Sequence, residues 1–257
     1  VPEGDTIHRA AATLGAALEG RELTGFEAPA FPRGRHPREG ERIDRVWARG
    51  KHLLIEFDGG LTLHTHLRMT GSWHLLGNER GRRGSRRTQV VTVRAGEVEA
   101  ACFSAPIVEL LGADELRRHP VLSLLGPDLC LADADLDEVL RRLERLDPST
   151  EIGVALLDQT VAAGVGNVYR SEVAWACLVD PCRPLRSVDH ATRRNLYSTA
   201  GRLLRMNLTT TSRTTYRGGL AVYGLAGRAC PRCSDTIAHR RLGEHARSVW
   251  WCPGCQR

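Results

Sequence analysis

The chain has 257 residues, 42% hydrophobic and 26% charged, with 36 basic against 30 acidic side chains and a formal charge of +6. That length supports a sizeable core, read as more than one domain, and without an 18-residue apolar run no membrane span is expected. The basic balance suits a polyanionic partner, the first residues lack the basic head and apolar block of a secretory signal, and the cysteines do not resemble a secreted disulfide scaffold, so a cytosolic setting is expected.

"VPEG" opens the chain. Read as a non-AUG start whose methionine is removed, it leaves Pro2 with a free secondary amine, whose pKa is about 8 in general. A neutral amine of this kind attacks an electrophilic carbon and forms an iminium, as a Schiff-base lysine does. Glu3 beside it is a candidate acid–base. The same residues also read as an ordinary terminus.

Residues 5–19 predict a helix, with Ile7, Ala10, Ala11, Leu14, Ala17 and Leu18 on one stripe, Asp5 as its cap and Gly20 at its end. "FPRGRHPREGER" at 31–42 reads as a loop. Short strands are expected at 43–48, 51–57 and 61–67. In the last, Leu61, Leu63, Thr65 and Leu67 alternate with Thr62, His64 and His66, as on a half-buried strand. Lys51 is the only lysine beside 35 arginines. An ammonium is a compact point charge that can release a proton when desolvated; a guanidinium is broad, planar and permanently charged. A position that keeps the ammonium is a candidate site for one amine nitrogen.

"HLRMTGSW" at 66–73 places Arg68, Met69 and Thr70 just past a strand. Met69 reads either as a core residue or as an exposed wedge for a base stack. "ERGRRGSRRTQ" at 79–89 carries five arginines in eight residues and reads as a solvated loop or a phosphate contact. A hairpin is expected from 90–94 and 98–103. Several short strands after one helix suggest a β-sandwich or barrel half. The texture changes at "RRHPVLSLLGPDL", 117–129, which reads as a linker, and helices are expected at 135–146, 151–161, 168–176 and 189–206.

"AAGVGNVYRSEVAW" at 162–175 has the shape of a helix–turn–helix. Asn167 stands where backbone N–H groups and its own amide suit a phosphate oxygen, or where it merely caps its helix. At the end of the chain, Cys230-x2-Cys233-x18-Cys252-x2-Cys255 has the spacing of a tetrahedral zinc site. Two disulfides or free thiols are the alternatives. With four protein ligands the metal would be structural, one zinc ion, supplying the folding free energy of a short tail. Cys102, Cys130, Cys177 and Cys182 read as reduced small hydrophobes.

Taken together, "PEG" at 2–4, "RGKHLL" at 49–54, "HLRMTGSW" at 66–73, "LLGPDL" at 124–129, "GVGNVYRSE" at 164–172 and "CPRC" with "SVWWCPGCQ" at 230–256 resemble, in order, the formamidopyrimidine-DNA glycosylase and endonuclease VIII family. The resemblance implies an α+β multidomain fold. It would comprise an N-terminal helix and two-layer β-sandwich (1–115), a linker (116–130), a helix–two-turn–helix domain (131–216) and a zinc finger (217–257), with DNA between the halves. It implies a monomeric base-excision repair enzyme, both DNA glycosylase and abasic-site lyase, acting on damaged double- or single-stranded DNA. By resemblance, Pro2 attacks C1′ of the damaged nucleotide, Glu3 protonates the sugar ring oxygen, and β- and δ-elimination cut the strand. Lys51, with Pro2 and Glu3 among the catalytic residues, matches the family's catalytic-cleft lysine, which contacts the phosphate beside the target sugar. Asn167 and Arg247 match phosphate contacts, Arg68, Met69 and Thr70 would fill the void left by the extruded base, and Glu172 matches a carboxylate grouped with the DNA-binding residues.

The departures favour the endonuclease VIII branch and oxidised pyrimidines. Asp5 and Thr6 replace a proline and a glutamate, "CFSAPIVEL" at 102–110 lacks the arginine that reads the opposite base, and the loop before the finger is short. Two other readings stand beside this one: a catalytically silent DNA-binding protein of the same fold, and a zinc-ribbon accessory protein. The second explains the cysteines and the charge, but not "VPEG", "RGKHLL" or "GVGNVYRSE".

Overall fold

The structure, a computed structural model, describes residues 2–76, 86–244 and 246–257. Val1 and residues 79–85 of the arginine-rich segment lie outside the described residues. The chain divides into two units, one holding Pro2 and Thr6–Ser123, the other Glu3–Asp5 and Leu124–Arg257.

In the first unit, helix α1 (Gly4–Leu18) buries Ile7, Ala11, Leu14 and Leu18. Their spacing of three and four residues puts them on one face. That face packs into a core between two antiparallel sheets. The strands are β1 (Gly25–Glu27), β2 (Ile43–Arg49), β3 (His52–Phe57), β4 (Leu61–His66), β5 (Ser72–Leu76), β6 (Gln89–Ala95), β7 (Val98–Phe103) and β8 (Ile107–Gly112). One sheet has the order β1-β6-β7-β5, the other β2-β3-β4-β8. Leu53, Ile55 and Leu63 of one layer share the core with Val91, Val93, Ala100 and Cys102 of the other. Trp73 of β5 donates its indole N–H to Thr65 of β4 at 3.0 Å, which ties the layers through a satisfied buried polar pair. The expected hairpin forms as β6 and β7, in register from Ala95 opposite Val98.

Two expectations for this unit fail. Asp5 does not cap α1: the helix starts at Gly4, and the Asp5 carboxylate is committed to Tyr169 and Arg213. Strand β4 is not half-buried, because Thr62 and His64 are 4% and 1% exposed. It is an inner strand, and His119, just after α2 (Ala113–Arg117), closes over His64 with ring centroids 5.3 Å apart.

The second unit is helical, with α3 (Leu136–Leu143), α4 (Ile152–Ala155), α5 (Asn167–Ala176) and α6 (His190–Met206), followed by the hairpin β9 (Ala238–Leu242) and β10 (Arg247–Trp251). Asp135 and Asp189 cap α3 and α6 by accepting N–H groups three residues on, each at 2.9 Å. Leu140, Leu143, Tyr169, Val173, Leu196, Tyr197, Leu203 and Leu204 form the core. The helix expected at 151–161 stops after one turn. Asp158 accepts both the backbone N–H and the hydroxyl of Thr160, a local turn that competes with helix continuation. Among the described residues no helix is long and apolar enough to cross a membrane.

Candidate active site and metal centre

The candidate residues are distributed over both units. In the second, the Glu3 carboxylate is 1% exposed and rests on the N-terminus of α5. Its Oε1 accepts the N–H of Val168 at 2.7 Å, and its Oε2 accepts those of Gly166 at 3.0 Å and Tyr169 at 3.3 Å. A helix leaves its first N–H groups without partners inside the helix, and a carboxylate satisfies them. Gly166 is required by the close approach: a Cβ there would lie 2.3 Å from Cδ of Glu3.

The same helix end holds the finger. Asn167 is the first residue of α5, and Gly166, not Asn167, is its cap. The Asn167 amide donates to the carbonyl of Ser248 at 2.8 Å. Arg170 is fully buried and donates to Asn167 Oδ1 and to the carbonyls of Arg247 and Ser248, the latter two at 3.2 and 2.6 Å. Burial pulls the Arg170 pKa down to about 10. Arg170 therefore fixes the backbone that carries the exposed Arg247 side chain. Sequence reasoning missed it, although it lies inside "GVGNVYRSE".

Glu172 belongs elsewhere than expected. It is 1% exposed and accepts N–H groups from Ala221, Val222 and Tyr223 at 2.8–2.9 Å, and the Thr215 hydroxyl. A buried anion with all its acceptor capacity turned to protein donors has no part in gripping phosphates. Glu172 instead pins the chain that leads to the finger.

Cys230, Cys233, Cys252 and Cys255 bring their sulfurs within 4.8 Å of one another. The Cys230–Cys255 and Cys233–Cys252 sulfurs are 3.9 and 3.3 Å apart. A disulfide is about 2.05 Å, whereas sulfurs about 2.3 Å from a tetrahedral centre sit roughly 3.8 Å from each other. The set fits one metal ion. Outer donors are in place: the Trp175 indole N–H and the Arg232 backbone N–H reach Cys230 at 3.4 and 3.5 Å.

In the first unit, Lys51 lies in the turn between β2 and β3, close enough to His52 and His66 to disfavour their protonation. Arg68 has a left-handed φ of 46°, a conformation non-glycine residues keep chiefly where the surroundings fix it. Its N–H donates to His66 Nδ1 at 3.2 Å, and Thr70 donates to the Ser104 carbonyl at 3.1 Å. Between them Met69 is 74% exposed, so it is a tip and not a core residue.

Behind this tip runs a histidine chain the sequence did not reveal. His119 Nδ1 accepts the N–H groups of Val121 and Leu122, at 3.2 and 3.1 Å, so its hydrogen is on Nε2 and goes to Glu109 at 2.9 Å. His64 Nδ1 donates to the same Glu109 oxygen at 2.7 Å, and His64 Nε2 takes the His52 Nδ1 hydrogen at 2.8 Å. Burial, with His66, His64, His119 and Lys51 nearby, pushes His52 down to about 2. Burial and Lys51 bring His66 to about 4. Burial would raise the Glu109 carboxyl, but hydrogen bonds from His64 and His119 leave it below the ordinary range. The ligand atoms of His64, Glu109 and His119 lie close enough for a cation. The hydrogen on His119 Nε2 occupies that direction, and coordination there would demand an imidazolate. This set is a hydrogen-bonded strut, not a metal centre.

Comparison with known proteins agrees with this architecture. Residues 1–104 match the formamidopyrimidine-DNA glycosylase N-terminal domain and residues 125–217 the formamidopyrimidine-DNA glycosylase H2TH domain. The chain is 39% identical over 267 residues to endonuclease 8 2 of Mycobacterium tuberculosis, covering all of both chains. It is 35% identical to the DNA-(apurinic or apyrimidinic site) lyase Nei2 of Mycolicibacterium smegmatis, covering 100% of this chain and 99% of that one. Among solved structures, MutM in complex with DNA containing carbocyclic 8-oxo-G superposes with a TM-score of 0.84 over the whole of both chains at 22% identity, a likeness of fold. The chain belongs to the formamidopyrimidine-DNA glycosylase and endonuclease 8 family of DNA-repair enzymes.

Proposed function

We propose that this enzyme is a bifunctional DNA glycosylase and abasic-site lyase that removes oxidised pyrimidines. The observation that carries the reading is the Glu3 carboxyl, directly after Pro2 in the chain and seated on three backbone N–H groups at the cap and start of α5. A group so held keeps one position through a proton transfer.

In this mechanism the neutral Pro2 nitrogen attacks C1′ of the damaged nucleotide. The C1′–base bond breaks, and the base leaves with the electron pair and takes up the proton that the Pro2 nitrogen gives up. Glu3 delivers a proton to the sugar ring oxygen as the ring opens to the iminium. The iminium acidifies the C2′ hydrogens, and β- then δ-elimination expels the 3′ and 5′ phosphates before water releases Pro2. Lys51, Arg247 and the second amide hydrogen of Asn167 bind phosphate oxygens. Arg68, Met69 and Thr70 enter the duplex where the nucleotide has left it. The four cysteines hold one zinc ion, which stabilises the finger and stays outside the chemistry.

The pyrimidine preference rests on the sequence of 102–110, which lacks an arginine, and on Asp5 and Thr6 standing in place of a proline and a glutamate. The test is borohydride trapping on an abasic-site duplex. Protein that begins at Pro2 gives a covalent adduct and a cut strand. Protein that retains a residue ahead of Pro2, so that its nitrogen is an amide, gives neither. Binding without trapping by the correctly trimmed protein would favour the catalytically silent reading. A panel of oligonucleotides with oxidised pyrimidines or oxidised guanine tests the base preference.

A further inference from the structure

Asp5, which departs from the family pattern, is 1% exposed and fully engaged. Arg213 grips it with two parallel bonds, Nε to Oδ2 at 2.8 Å and an Nη to Oδ1 at 2.6 Å. The Tyr169 hydroxyl donates to Oδ2 at 2.9 Å. The guanidinium carbon of Arg213 lies 5.0 Å from the Tyr169 ring centroid, so the cation is also stacked.

Tyr169 is the hinge of the arrangement. Its side chain holds Asp5, while its backbone N–H belongs to the trio that holds Glu3. Between these carboxylates Gly4 donates to the Gly164 carbonyl at 2.9 Å, and a Cβ there would meet Cys130 Sγ and Gly164 Cα at 2.8 Å. The segment that carries Arg213 is itself tied down. Asn207 exchanges two hydrogen bonds with the backbone of Thr214, both at 2.8 Å, and Thr215 donates to buried Glu172.

We propose that Arg213 and Tyr169 are positioning residues for Glu3: by clamping Asp5 they hold the Glu3-Gly4-Asp5 turn, so that the loop after α6 sets where the Glu3 carboxyl sits. The inference rests on Glu3 taking part in the reaction proposed above. A bidentate pair in a nearly dry site fixes both distance and orientation, and a small misplacement of a reacting group is costly in rate. Glu3 thereby depends on a residue about 210 positions further along the chain, the separation of Arg213 from Asp5 being 208.

The test compares wild type, Arg213→Met, Arg213→Lys and Tyr169→Phe in single-turnover cleavage of an abasic-site duplex, with DNA affinity and amide exchange measured alongside. Arg213→Met lowers the rate at saturating DNA by about 10- to 100-fold per folded molecule, with Kd within twofold of wild type. Arg213→Lys recovers part of the rate, because one donor of like charge remains but the fork is lost. The amides of Gly166, Val168 and Tyr169 exchange faster in Arg213→Met. An unchanged rate per folded molecule in an active wild type overturns the proposal, because a merely structural clamp would lower only the folded fraction. Should wild type itself neither trap nor cut, the functional reading fails separately, and exchange decides: unchanged protection of those amides overturns the clamp, and faster exchange sustains it.

Discussion

Glu3 and Glu172 are both buried carboxylates that accept three backbone N–H groups, yet they do different work. Glu3 follows Pro2, and its three donors come from the turn and start of α5. Glu172 lies within α5 and collects the N–H groups of 221–223 together with the Thr215 hydroxyl. Gly166→Ala forces a methyl into Glu3, so it should cut the single-turnover rate by roughly 100-fold while DNA binding persists. Retention of the wild-type rate would show that the Glu3 position is not needed. Glu172→Ala orphans several buried donors and should destabilise the protein by about 3 kcal/mol, read from denaturant unfolding. Its salt dependence of DNA binding should match wild type, which a phosphate-contacting role would not allow.

At the scale of elements, periodicity reported what it can report. Helix α1 and the β6–β7 hairpin follow from local apolar spacing, and the cysteine spacing marks the metal set. Helix α4 is shorter than its pattern because Asp158 and Thr160 form a side-chain turn, a competition that hydrophobic spacing does not encode. The histidine chain was illegible because its links span 12, 45 and 10 residues and depend on which strands pair. The clamp on Asp5 spans 208 residues and was equally hidden. The chain predicts an acid response. His52 and His66 have folded pKa values depressed below the unfolded 6.5, so between these values the unfolded state binds more protons. Their stabilisation is complete above about pH 6.5 and is lost as pH falls toward their folded values. Glu109, also depressed, adds a loss of the same sign at lower pH. Thermal unfolding should therefore shift down progressively below pH 6.5, and His52→Leu should flatten that slope. An equal slope in the variant would place the titration elsewhere. Metal analysis should find one zinc per chain, and Cys233→Ser should abolish it while leaving the β-sandwich signal in circular dichroism. Two zinc ions per chain would contradict the tautomer assigned to His119.

For the whole molecule, an excess of six basic side chains sets a general attraction for polyanions, and DNA affinity should fall steeply with added salt. Charge brings DNA to the protein but makes no covalent bond. In the mechanism proposed above the covalent step falls to the Pro2 nitrogen, and the measurement that tests it most directly is peptide mapping of the borohydride-reduced adduct with an abasic-site duplex. Attachment of the deoxyribose to the Pro2 nitrogen is the predicted result. Attachment to Lys51, the single side-chain amine in the sequence, or no adduct from protein beginning at Pro2, would contradict the account.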